Sequence, residues 1–132
     1  MNTVDTHFLI AAIVVISSAL VFYTVGVWGE RIQKGLRGWH VAFFLMGICA
    51  DVLGTSLMAE LVRLTGQDNK LHEITGLIAV SLMAVHAVWA VMTYWKGSAK
   101  ARRNFSKFSI LVWIVWLIPY FIGVYVGAVL HQ

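Results

Sequence analysis

Two histidines of the third apolar segment, His72 and His86, are the residues whose type and spacing best suit chemistry inside a membrane. Between them the sequence is apolar or small, apart from Glu73, Thr75 and Ser81. Fourteen helical steps of about 100° return the second imidazole to within roughly 40° of the first, about 21 Å away along the axis. An ionisable side chain deep in lipid is costly and usually has a partner or a ligand. The pair therefore predicts a functional face on this helix.

Neutral imidazoles inside a helix bundle suit haem iron, which accepts histidine as an axial ligand. A helix carrying His72 and His86 places a histidine at two depths of the membrane, so that one haem could bind near each leaflet. Counting along the helices places His40 roughly 12 Å from His86 along the bundle axis, so one iron could bind both histidines only if the helices were tilted. A site combining His72 with His7 or His131 is geometrically easier. The chain has one cysteine and no Cys-x-x-Cys-His motif, which excludes covalent attachment and leaves b-type haem.

Asp51 provides an alternative interpretation. Counting from Trp39 and Lys96 places Asp51 and His86 at similar depths, roughly 18 and 15 Å from the same edge. Such a pair is typical of a proton relay or a proton-coupled transporter, which with only four helices would need a homodimer. A third interpretation is a small scaffold subunit whose polar face is buried against a larger complex.

Composition defines the elements that must position these residues. The chain has 132 residues, of which 60% are hydrophobic and 12% charged. Apolar segments over residues 8–29, 39–64, 71–95 and 108–130 are each long enough to cross a bilayer. Their short links predict an all-α, antiparallel, up-down-up-down bundle of four transmembrane helices, forming a single membrane domain over residues 1–132. Pro119 is expected to kink the fourth helix.

The basic residues predict the orientation of the bundle. Eight of the ten Lys and Arg residues fall in the links 30–38 and 96–107 or at their borders: Arg31, Lys34, Arg37, Lys96, Lys100, Arg102, Arg103 and Lys107. The positive-inside rule then places both links in the cytoplasm and both termini outside, in a multi-pass protein of the cell (inner) membrane. Basic residues clustered between apolar segments are typical of a membrane protein with a defined orientation. They therefore favour the lipid bilayer as partner over nucleic acid. No basic residue precedes the first segment, so we expect a retained helix and not a cleaved signal.

Small, polar and sulfur-bearing residues recur every three or four positions on the later helices. The predicted inward faces are His40, Phe44, Gly47, Asp51, Gly54 and Met58 on the second helix; His72, Gly76, Ala79, Met83, His86, Ala90 and Thr93 on the third; and Trp116, Tyr120, Gly123, Gly127 and His131 on the fourth. Lipid would penalise such faces, so they turn inward. The glycines and methionines are candidate cofactor contacts, although close packing of helices explains the same pattern.

Several strings of this sequence resemble the HsmA family of small four-helix bacterial membrane proteins. The resemblance covers about residues 37–123 and rests on Trp39-His40-x-x-Phe43-Phe44-x-x-Gly47, Asp51-x-x-Gly54-Thr55-x-x-Met58, Leu71-His72-Glu73-Ile74-Thr75-Gly76, Leu82-Met83-x-x-His86-x-x-Trp89-Ala90, and Phe108-Ser109 followed by Trp113-x-x-Trp116-Leu117-Ile118-Pro119-Tyr120. The family's characterised representative is haem-responsive, binds haem and is linked to protection against haem and oxidative stress. The resemblance implies that His40, His72 and His86 are the candidates for iron ligation.

Taken together, these patterns predict an integral membrane protein that binds haem b, one molecule or two, through histidines inside the bundle. The expected role is haem sequestration or tolerance, or membrane electron transfer in the manner of a cytochrome b, with a quinone or another redox partner. A binding protein is favoured over an enzyme.

Overall fold

The computed structural model describes residues 3–66 and 70–130, with side chains up to residue 125. Its helices are α1 (Thr3–Ile32), α2 (Gly38–Thr65), α3 (Lys70–Lys96) and α4 (Ala99–Leu130), and no strand occurs in these ranges. All four are long and apolar enough to cross a membrane. The predicted all-α class and the four transmembrane helices are therefore confirmed, and the chain is a multi-pass membrane protein.

The fourth helix begins earlier than predicted. The stretch 96–107 was expected to be a basic loop, but α4 starts at Ala99 and includes most of it. Ser98 explains the difference, because its hydroxyl accepts the amide of Ala101 at 3.1 Å and its carbonyl accepts the amide of Arg102 at 3.0 Å. A serine at this position caps a helix start, and the Ala, Lys and Arg residues that follow are good helix formers. The helix also continues through Pro119.

The first helix ends later than predicted, which changes the position of Glu30. This residue was assigned to a link, whereas α1 continues to Ile32 and buries the Glu30 side chain completely. A Schellman-type turn closes the helix: the amide of Gly35 donates to the Glu30 carbonyl at 3.1 Å and that of Lys34 to the Arg31 carbonyl at 3.2 Å. Lys34 takes the left-handed conformation that this motif requires, with φ 58°.

The helices form a closed ring in which each packs against the next in the chain and α4 packs against α1. Close contacts between α1 and α2 show their antiparallel course. A Cβ added at Gly47 would strike the ring of Tyr23, and one added at Gly54 would strike Ile16. Glycine thus lets these two helices approach closely, as small residues do in membrane helix pairs.

The predicted inward faces of α2 and α3 are largely confirmed. Buried members are His40, Phe44, Gly47, Asp51, Gly54, Ala79, Met83, His86, Ala90 and Thr93, while Met58, His72 and Gly76 are half-buried. Of the α4 face, Trp116 is buried and Tyr120 and Gly123 are half-buried. The side chain at Gly127 and all of His131 lie outside the described residues. Large apolar side chains such as Leu77, Val88 and Phe121 cover the outside of the bundle, where lipid is their natural solvent.

Replacing Gly47 by Ala should destabilise the bundle. The added methyl would push Tyr23 out of its position between α1 and α2, and overpacking of this kind costs about 1–3 kcal/mol. Thermal unfolding in detergent, followed by circular dichroism, measures the effect. Gly76→Ala is the control, since a Cβ there has no neighbour within 4 Å; equal melting temperatures for the two variants would contradict the packing role of Gly47.

Candidate functional site

His86 occupies a fully buried position between three helices. Its ring lies 4.6 Å from that of Phe44 on α2, edge to face, and 5.1 Å from that of Phe105 on α4, where the two rings are stacked. Phe108 is a third aromatic neighbour, with a centroid separation of 6.0 Å. These rings exclude water from the imidazole and surround it with flat apolar surfaces.

A serine and a carboxylate hold one side of this imidazole. Nε2 of His86 lies 2.8 Å from Oγ of Ser109 on α4. Ser109 in turn donates its hydroxyl proton to Oε2 of Glu30 on α1 at 3.0 Å. With its proton directed at Glu30, the serine oxygen accepts from Nε2, so the neutral imidazole carries its proton on Nε2 and a lone pair on Nδ1. The three residues form a hydrogen-bonded chain across α1, α4 and α3, called here the Glu30–Ser109–His86 chain.

Both ends of the Glu30–Ser109–His86 chain have a free hydrogen-bonding atom. Oε1 of Glu30 and Nδ1 of His86 are fully buried and make no hydrogen bond within the described residues. Buried polar atoms are nearly always paired in folded proteins, and exceptions call for a functional explanation. This site is therefore suited to a ligand or a transferred proton.

Asp51 belongs to a second, separate polar cluster. Its Oδ2 accepts the hydroxyl of Tyr23 on α1 at 3.0 Å and the indole N–H of Trp116 on α4 at 2.8 Å. The rings of Tyr23 and Trp116 meet edge to face at 5.1 Å. No fully buried nitrogen or oxygen of these three side chains lacks a partner, so the Asp51 cluster is a satisfied cross-link between α1, α2 and α4.

The two clusters lie at different heights in the bundle. On α4 their members Ser109 and Trp116 are seven residues apart, or about 10 Å along the axis. No hydrogen bond joins Asp51 to His86 among the described side chains, and each has its own partners. The structure therefore does not pair Asp51 with His86, as the proton-relay interpretation of the sequence expected. His86 instead contacts Ser109, which is hydrogen-bonded to Glu30.

His40 is fully buried, and one nitrogen of its ring is engaged at the start of α2, while its Nε2 has no hydrogen-bond partner among the described residues. Its Nδ1 accepts the backbone N–H of Arg37 at 2.9 Å. An amide can only donate, so Nδ1 carries the lone pair and Nε2 the proton. Ligation through Nε2 would require the opposite arrangement and would break the Arg37 bond. His40 also packs against the ring of Trp39 at 4.1 Å, and this geometry suits a helix-start role.

His72 lies at the far end of α3 from His86. Its ring is half-buried, is hydrogen-bonded to the carbonyl of Pro119 and lies beside Gly123, where an added Cβ would be 2.7 Å from the ring. Fourteen residues separate it from His86, about 21 Å along the helix, so one iron cannot bind both. His7, near the start of α1, is exposed.

The other residues that were predicted to contact a cofactor lie in three different parts of the bundle. Gly47 and Gly54 lie in the α1–α2 interface. Met83 is buried one turn from His86, in an apolar cluster with Tyr23 and Trp116. Met58 and Gly76 are half-buried and belong to neither polar cluster.

Glu30, Ser109 and Tyr23 are site residues that the sequence patterns missed. Glu30 was hidden by ending the first helix too early. Continuing that helix by one turn would have placed it on the same face as Tyr23 and Val27, at helical spacing, as an acidic residue inside a basic stretch. Ser109 shares its face with Phe105 and Trp116, and that periodicity was the available signal.

No protein-family model, curated protein or solved structure matches this chain. The fold and the site therefore define its class, which is a membrane bundle of four helices with two buried polar clusters. In the Asp51 cluster every fully buried polar atom has a hydrogen-bond partner, whereas the Glu30–Ser109–His86 chain has two buried atoms without one among the described residues. Within the described residues no group of three or more His, Cys, Asp or Glu side chains is placed to hold a metal ion. Haem differs from such an ion because its iron needs only one or two histidines from the protein.

Proposed function

We propose that this chain is an integral membrane protein that binds haem b non-covalently, with His86 as the iron ligand. The single observation that carries the proposal is the imidazole of His86: one nitrogen is held by the Ser109 hydroxyl and the other is buried without a partner. The resemblance of residues 37–123 to the HsmA family supports the same cofactor.

The surroundings of His86 fit a metal-bound histidine. Such a histidine usually donates its second ring N–H to a carboxylate, a carbonyl or a water, which fixes the tautomer and strengthens the ligand. Ser109 backed by Glu30 supplies this contact and leaves Nδ1 as the nitrogen with an available lone pair. Phe44, Phe105 and Phe108 provide apolar flat surfaces of the kind that a macrocycle contacts.

One haem at His86 is the stoichiometry that the geometry favours. His40 is engaged with the Arg37 amide, and His72 lies about 21 Å away along α3. Bound haem would supply a redox-active iron, while the chain's own residues hold the ligand ring and exclude water. The role we propose is haem sequestration or tolerance, with electron transfer to a quinone or a redox partner as the use that the iron permits.

Titration with haemin tests this proposal. Cofactor-free protein in detergent should develop a shifted, sharpened Soret band that saturates near one equivalent, because the iron moves from solvent to a histidine in a dry site. Empty micelles of the same detergent are the control. A protein whose spectrum follows that of the empty micelles would overturn the proposal.

We also propose that the end of the bundle with the links 33–37 and 97–98, called here the basic end, faces the cytoplasm. Lys34, Arg37 and Lys96 lie at this end, and basic residues are retained on that side. Single cysteines at exposed Lys100 and Lys70, in a Cys49→Ala background, test the orientation. We expect a membrane-impermeant thiol reagent to label Lys70→Cys in intact cells and Lys100→Cys only after permeabilisation. The reverse pattern would contradict the orientation.

A further inference from the structure

We propose that one face of α4 is a binding surface for an anionic phospholipid, whose headgroup contacts Lys100, Arg103 and Lys107. These three side chains are exposed and follow one another at spacings of three and four residues. Helical steps of about 100° keep them within roughly 60° of one another, over about 10 Å of the axis. They form a row of positive charges called here the α4 basic stripe. This surface is separate from the haem site and does not depend on it.

The early start of α4 creates the α4 basic stripe. Because the helix begins at Ala99, its geometry fixes the directions of the basic residues that follow. Arg102 is directed to the other side of the helix, where it donates to the Tyr94 carbonyl and lies over the Tyr94 ring. The charges are thus sorted, with Arg102 joining α4 to α3 and the α4 basic stripe facing outward.

Acidic side chains do not neutralise the α4 basic stripe. The sequence after Glu73 contains no Asp or Glu, and Glu30, at the same end of the bundle, is completely buried. The ion pairs found among the described residues, Arg63 with Glu60 and Lys70 with Glu73, lie at the opposite end. Each basic residue near a membrane surface favours association with anionic lipid by about fivefold. Three such residues without acidic partners therefore suit a phosphate headgroup.

The continuation of the same helix face is apolar, which favours a lipid as the occupant. Leu111, Ile114 and Ile118 lie within the same arc of roughly 80° and are 59, 49 and 54% exposed. Lys107 is one helical turn before Leu111, so the charged and apolar parts of this face adjoin. A phospholipid has the same two parts, an anionic headgroup and apolar chains. A nucleic acid, an acidic protein or free phosphate would use only the charged part.

Fluorescence quenching by brominated lipids tests this surface. A fluorescent maleimide on Leu111→Cys, in a background that lacks the single native cysteine (Cys49→Ala), reports the adjacent lipid, because bromine on the acyl chains quenches on contact. The bilayers contain brominated phosphatidylglycerol, which is anionic, or brominated phosphatidylcholine, which is zwitterionic. We expect the anionic lipid to be preferred by about fivefold or more. Equal quenching by the two lipids would overturn the proposal.

Two variants with the same loss of charge distinguish the α4 basic stripe from the general charge of the basic end. Changing Lys100, Arg103 and Lys107 together to Gln should lower the preference by about threefold or more. Changing Arg31, Lys34 and Arg37 to Gln also removes three exposed charges from this end and should leave the preference near the wild-type value. Equal losses in the two variants would mean that net charge alone attracts the lipid, and would contradict a site on α4.

Inorganic phosphate at constant ionic strength distinguishes a lipid from a free anion. Added phosphate should leave the preference unchanged, since it lacks the chains that contact Leu111 and Ile114. Loss of the preference would mean that the cations bind phosphate alone, and would overturn the lipid assignment. Arg103→Gln removes the middle charge and should also lower the preference, so it provides the same test if the triple variant fails to fold.

Discussion

Replacement of His86 by Ala should abolish high-affinity haem binding. The proposal makes this imidazole the iron ligand, and no other described histidine combines complete burial with a free lone pair. Loss of an outer-shell partner alone commonly lowers metal affinity by 10–100-fold, so loss of the ligand should raise the dissociation constant by about 100-fold or more. Equilibrium haemin titration, followed at the Soret band, measures it.

His7→Ala is the control for this substitution, because His7 is exposed on α1 and should leave the titration unchanged. His40→Ala and His72→Ala examine the other two candidates under the same conditions. If His86→Ala binds haem as tightly as the wild type while His72→Ala does not, the ligand lies at the opposite end of α3 and the assignment to His86 is wrong.

Replacement of Asp51 by Ala should strongly destabilise the bundle without removing the haem ligand. The Tyr23 hydroxyl and the Trp116 indole N–H would both lose their acceptor in a membrane interior. Each buried donor without a partner costs about 1–3 kcal/mol, so with two such donors we expect the free energy of unfolding to fall by about 2–6 kcal/mol. Reversible unfolding in mixed detergent micelles measures the difference from the wild type.

The Asp51→Asn variant tests whether Asp51 stabilises the bundle through its hydrogen bonds or through its negative charge. The amide keeps one carbonyl oxygen in the place of Oδ2, which can accept from both donors. We therefore expect Asn to retain most of the stability that Ala loses. If Asn is as destabilising as Ala, the carboxylate charge is required and Asp51 does more than cross-link α1, α2 and α4.

Hydropathy and periodicity were sufficient to predict the four helices and the inward faces of α2 and α3. The lipid-facing sides are largely apolar, so that small and polar residues such as Gly47, Asp51 and His86 mark the interior. Local signals decided the helix ends. Ser98 caps α4 ten residues before the apolar segment begins, because a helix can extend beyond the hydrocarbon when its residues favour it.

The partners of the buried groups could not be predicted in the same way. Depth counting placed Asp51 and His86 at similar heights, but it starts from assumed helix ends and ignores tilt, and the two clusters lie about 10 Å apart along the axis. The rotation of the helices directs Asp51 toward Tyr23 and Trp116, and His86 toward Ser109. Glu30 joins the site only because the turn at Lys34 lets α1 continue past it.

The measurement that tests the central claim most directly is pulsed electron paramagnetic resonance of the ferric haem complex made with ¹⁵N-histidine. We predict a hyperfine coupling between the iron and a histidine nitrogen in the wild-type protein, and its disappearance in His86→Ala. A ferric complex with no histidine coupling, or the same coupling in both proteins, would contradict the assignment of His86 as the iron ligand.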